Sequence, residues 1–139
     1  DSGRICKELR VSQTLSRFVP VFVYEVADRT MPSYLEPVSF PLGAYHTGEI
    51  QYIFPLYRGS EGTAHALNPL QEKLSDTMVK YWTTFAKSGN PNSSTTPNWP
   101  QYTAKDKRYQ SLKPLAIASL PISLFSAAHK CDFWKGLKK

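Results

Sequence analysis

Residues 18–26 read "FVPVFVYEV", and all but Pro20 and Glu25 are apolar. β-Branched and aromatic residues dominate the run, which favours a strand. Continuous rather than alternating apolarity is the pattern of a strand covered on both faces, as in parallel sheets with helices above and below. Pro20 suits the start of such a strand, where a missing N–H does least harm. Val21 to Val26 therefore predicts a doubly covered sheet strand, and the rest of the chain has to supply its neighbours.

Working outward, the residues before the run place Ile5, Leu9 and Leu15 at roughly helical spacing between Arg4 and Arg17. After it comes a long connection, Ala27 to Tyr45, punctuated by Pro32, Pro37, Pro41 and Gly43. Loops of this length without structure of their own are often functional. This one delivers the chain to "PLGAYHTGEIQYIF", residues 41–54, where His46 stands just before an amphipathic helix and Glu49 follows three residues later. A histidine at a loop mouth suits general acid/base work. It serves equally well as a surface residue.

The strongest helix signal follows. Asn68 can cap, Pro69 fits the first helical position, and Gln71 sits where a capping box needs its partner. Leu70, Leu74, Met78, Tyr81, Trp82 and Phe85 then share one face, with Trp82 and Phe85 expected in the core. Gly89 with Asn90-Pro91 stops the helix. Beyond it, "RYQSLKPLAI" predicts a short strand and "LFSAAHKCDFWKGL" a closing helix. The result is an α/β chain with too few strands. Two predicted strands cannot make the doubly covered sheet that Val21–Val26 requires.

Composition narrows the function classes. A chain of 139 residues with 41% hydrophobic and 13% aromatic content can bury the core of one domain. The net charge is +6, but Lys and Arg are scattered and the one dense group is the terminal "KGLKK". A nucleic-acid surface calls for basic residues clustered with interleaved aromatics, so no nucleic-acid partner is expected. No apolar run is long enough for a membrane span. The opening "DSGRICKELR" is too charged for a signal peptide, so any export signal is expected to have been removed or to lie outside this chain. His65 in "GSEGTAHALNP" reads as exposed, and His129 beside Cys131 lacks further ligands for a metal, so no metal site is expected. Cys6 and Cys131 lie near opposite ends, and by themselves allow either two buried thiols or one long-range disulfide.

Four segments, taken together, resemble the C-terminal portion of a type-B carboxylesterase, the cholinesterase-like branch of the α/β-hydrolases. They are "PVFVYEV", "GAYHTGEIQYIF", "LSDTMVKYWTTFAKSGNPN" with "WPQY", and "HKCDFWKGL". They cover nearly the whole chain in the family's order. The resemblance implies an incomplete α/β-hydrolase sheet of late strands with packing helices, residues 1–139 being the C-terminal part of that domain. It implies that His46 is the base of a Ser–acid–His triad, which runs in that chain order in this fold. Glu49 takes a supporting place beside His46 or in the substrate gorge, or simply favours a helix N-terminus. Thr47 occupies the position after the histidine where the family often has glycine.

No Gly-x-Ser-x-Gly elbow and no glycine-rich oxyanion loop occur here. The chain would therefore need an upstream part of the same hydrolase, on the same or a separate chain, to carry serine and Asp or Glu. The implied reaction is hydrolysis of a small-molecule ester through an acyl-enzyme, with no cofactor. The resemblance also pairs Cys6 with Cys131 and so implies a secreted or periplasmic protein. A non-catalytic cholinesterase-like adhesion or interaction domain is the alternative that the same resemblance allows.

Overall fold

The computed structural model describes residues 4–137; Lys138 and Lys139 of the terminal basic group lie outside them. Eight elements follow in order. They are α1 (Ile5–Leu15), β1 (Tyr24–Val26), α2 (Ile50–Ile53), α3 (Pro69–Ser88), β2 (Arg108–Leu112), β3 (Ala118–Pro121), α4 (Ile122–Ala128) and α5 (Cys131–Gly136). The strands form one sheet in the order β1-β2-β3. The Gln110 N–H donates to the Val23 carbonyl and the Ala27 N–H to the Leu112 carbonyl, so pairing advances in the same direction along both strands. β3 returns antiparallel after a five-residue turn, with the Ile122 N–H donating to the Lys107 carbonyl. This is an open, mixed sheet of three strands with helices packed around it, the incomplete α/β-hydrolase sheet expected from the sequence.

The described residues divide into two compact units. One takes those up to Glu25, Asn98–Gln110 and those from Ala118; the other takes Val26–Pro97 and Ser111–Ile117. In the first, Leu9, Tyr102, Tyr109, Ile122 and Phe125 form the buried core, with Ile5, Val21, Val23 and Leu120 packed against it. Trp99 donates its Nε1–H to the Val23 carbonyl at 3.1 Å and meets the Phe22 and Tyr24 rings edge-on. Cys6 and Cys131 are joined as a disulfide that ties α1 to α5.

In the second unit, α3 starts and stops as its sequence dictates. Asn68 accepts from the N–H groups of Leu70 and Gln71, Gln71 accepts from the Asn68 N–H, and Gly89 ends the helix at φ 71°. Leu74, Met78 and Tyr81 are buried, and the Tyr81 hydroxyl donates to the Pro97 carbonyl at 2.6 Å. Leu70 and Phe85 are exposed, and Trp82 is half-buried. Among the described residues, the core place expected for Trp82 is therefore met in part, and that for Phe85 is not.

Three further expectations need correction. β1 spans only three residues, with Val21 bridging separately to Tyr102. Phe18 is 79% exposed, Val19 and Tyr24 are also exposed, and the remaining apolar residues of the run are half-buried. Among the described residues only one edge of β1 is paired within the sheet, the open edge that the shortage of strands implies. Of the strand expected over 108–117, only residues 108–112 pair, as β2; Lys113 and Pro114 turn the chain with Leu115 at φ 61°, and an unanticipated β3 follows beyond that stretch. Pro114 cannot donate to a ladder and so breaks the run. The closing helix is also two helices. Lys130 adopts φ 52°, and the break sits between two tethers, His129 to Glu25 and Cys131 to Cys6.

Candidate functional site around His46

The long connection from Ala27 to Tyr45 has no helix or strand, and ends at the turn that carries His46. The turn is closed by the Gly48 N–H donating to the Tyr45 carbonyl at 3.2 Å and the Ile50 N–H donating to the Thr47 carbonyl at 3.1 Å. α2 begins immediately afterwards, with Glu49 at its N-cap position and making no capping bond. His46 is exposed and Glu49 half-buried, both on this one turn.

Local sequence explains how the turn holds its shape. Thr47 sits at φ 72°, in the left-handed region that penalises β-branched residues. Its hydroxyl donates to the His46 carbonyl and accepts from the Tyr34 hydroxyl, and these bonds offset the strain. A side chain at Gly48 would force its neighbours to shift. A Cβ there would lie 2.3 Å from the Met31 sulfur and 2.8 Å from the Tyr45 ring. Gln51 donates from Nε2 to the carbonyls of Gly48 and Pro32, each at 2.8 Å, and the Tyr45 hydroxyl donates to the same Pro32 carbonyl at 3.1 Å. Burial pushes the Tyr45 phenol up from its ordinary value.

Beneath the turn lies a charged group that sequence reasoning passed over. Asp28 is 4% exposed, and its carboxylate accepts four hydrogen bonds. The Thr30 N–H and hydroxyl reach Oδ1 at 2.8 and 2.7 Å, Gln71 Nε2 reaches Oδ2 at 3.0 Å, and the Tyr52 hydroxyl also donates to Oδ2. Burial pushes the carboxyl up, but these donors outweigh it and hold Asp28 below the usual carboxylate range. The Tyr52 phenol is driven far up by its own burial and by the adjacent carboxylate. A lone Asp in a loop carries no periodicity; the only signal was its place just after the predicted strand.

A cavity of about 520 Å³ opens along the same connection, lined by Arg29, Met31, Val38, Phe40 and Leu42 among others. His65, exposed as expected, also lines it. In the other unit, His129 Nε2 lies 2.9 Å from Glu25 Oε1, and its ring packs on Phe125 at 4.5 Å between centroids. This His–carboxylate pair can hold an imidazole in a fixed orientation, and no local pattern marks it because 104 residues separate the partners. No group of three or more His, Cys, Asp or Glu suited to a metal occurs among the described residues, and no helix there is long and apolar enough to cross a membrane.

Comparison with known proteins gives this arrangement its context. The model of the Carboxylesterase family matches residues 1–134. The chain is 31% identical over 137 residues to the cocaine esterase of Homo sapiens, covering 97% of this chain and 23% of that protein. It is 35% identical over 97 residues to the acetylcholinesterase of Bungarus fasciatus, covering 67% of this chain and 15% of that one. Among solved structures, a PNB esterase superposes with a TM-score of 0.64 at 25% identity, covering 86% of this chain and 23% of that structure. The chain thus spans about a quarter or less of these relatives. An open hydrolase-like sheet, an exposed histidine on a bonded-down turn, and a family match over almost every residue lead to one assignment: the chain belongs to the carboxylesterase family.

Proposed function

We propose that these 139 residues are the C-terminal part of a type-B carboxylesterase domain and supply the triad histidine, His46, of a serine ester hydrolase. The observation that carries the reading is the exposed His46 on a turn fastened on both sides, within a chain whose family match runs from residue 1 to residue 134. In that role the imidazole takes the proton of a serine hydroxyl as it attacks an ester carbonyl, then returns it to the leaving alcohol. A carboxylate on the other ring nitrogen fixes the tautomer. Serine, acid and oxyanion donors come from an upstream part of the same hydrolase. Glu49, on the same turn, supports the histidine or lines the approach to it.

The Pro32–Tyr45 stretch contributes part of the acyl or alcohol pocket, with the cavity over Val38, Phe40 and Leu42 providing apolar surface for a small ester. His129 suits the catalytic role less well. Its Nε2, the nitrogen that faces the nucleophile in such triads, is the one that meets Glu25, so the pair acts as a tether for the closing helices. The disulfide agrees with an oxidising compartment, and supports a secreted or periplasmic protein.

The test is His46→Ala in the longer polypeptide. Turnover of an activated ester is expected to fall by about three orders of magnitude or more, with folding nearly intact. Activity within about tenfold of the unaltered protein would remove His46 from the triad.

A further inference from the structure

We infer that Asp28 is a positioning residue for His46, acting through a buried polar knot that fixes the turn presenting the imidazole. The inference rests on the reading of His46 as the triad base. A carboxylate at 4% exposure is costly to bury unless donors satisfy it. Those donors come from three separate segments: Thr30 in the connection, Tyr52 on α2 and Gln71 on α3. Removing the carboxylate would leave all of them facing a gap.

Two routes lead from Asp28 to the histidine. Along the first, Tyr52 belongs to α2, its N–H donates to the Glu49 carbonyl at 3.0 Å, and Ser75 of α3 donates to the Tyr52 carbonyl at 2.6 Å. Holding Tyr52 therefore holds the helix that starts four residues after His46. Along the second, Gln71 also donates to the Thr30 carbonyl at 3.1 Å, fixing the stretch that ends at Pro32. The Pro32 carbonyl then accepts from Tyr45 and Gln51, one residue before His46 and five after it. Gly48 packs against the Met31 and Tyr45 side chains, which a Cβ there would have to displace. Asp28 touches neither substrate nor nucleophile in this scheme. It sets where the imidazole stands, and a misplacement of about 1 Å can cost about a hundredfold in rate.

The test uses the longer polypeptide carrying Asp28→Asn, Tyr52→Phe or His46→Ala. Active sites are counted by exhaustive phosphonylation, and turnover of an activated ester is expressed per counted site. Asp28→Asn should lower kcat per site by about tenfold to a hundredfold while KM stays within about threefold. Tyr52→Phe, which keeps the ring and removes one donor, should move kcat the same way by a smaller factor, and decides the matter if the Asn variant does not fold. Fewer sites with unchanged kcat per site would make the knot a stability element only, and would overturn the inference. That outcome differs from failure of the underlying reading, in which His46→Ala itself retains activity.

Discussion

Thr47 follows His46 in a backbone conformation that a β-branched residue adopts at a cost of about 1–2 kcal/mol. The cost is tolerated because the hydroxyl bonds the His46 carbonyl and Tyr34. Two substitutions separate strain from hydrogen bonding. Thr47→Val keeps the strain and discards both bonds, so it should destabilise the protein by about 1–3 kcal/mol. Thr47→Gly discards the bonds but releases the strain, and should fall within about 1 kcal/mol of the parent. Thermal unfolding of the two variants checks the order; a Val variant more stable than the Gly variant would contradict it. At this scale the sequence was legible where a residue stood in a specific string. The assignment proposed for His46 rests on "GAYHTGEIQYIF". Asp28 was missed because its partners lie 2, 24 and 43 residues away, and nothing local marks a buried carboxylate.

Elements defined by their own residues were read accurately. The capping box at Asn68 and the left-handed Gly89 bound α3 on chemistry confined to a few positions. Elements shaped by distant partners were not. The two-helix break at Lys130 follows from tethers to Glu25 and Cys6, neither of which local periodicity registers. β3 lies beyond the stretch read as a strand, after the turn at Pro114 and Leu115, and was not anticipated. Because the disulfide spans 125 positions and joins the first helix to the last, its loss should be felt throughout the unit it closes. Replacing both cysteines with alanine should cost about 2–5 kcal/mol. The check is a denaturant titration of the longer polypeptide with and without the bridge. An unchanged midpoint would mean that the core of Leu9, Tyr109 and Phe125 needs no staple.

The whole molecule carries the mark of a larger sheet. The run Val21–Val26 has the composition of an interior strand, yet one edge of β1 is open, and Phe18, Val19 and Tyr24 are exposed. Open strand edges and bare apolar surface promote association. The isolated 139-residue chain is accordingly expected to self-associate and to bind a hydrophobic dye. Sedimentation of a dye-silent monomer with a sharp unfolding transition would show that it completes its own core. The central claim, that His46 serves a serine supplied by an upstream part of the hydrolase, is tested most directly by labelling with a fluorophosphonate. The longer polypeptide should be labelled on a serine outside these residues, at a rate that His46→Ala slows by about three orders of magnitude, and the isolated chain should remain unlabelled. Label on a serine within the 139 residues, or labelling of the His46→Ala variant within about tenfold of the parent rate, would contradict it.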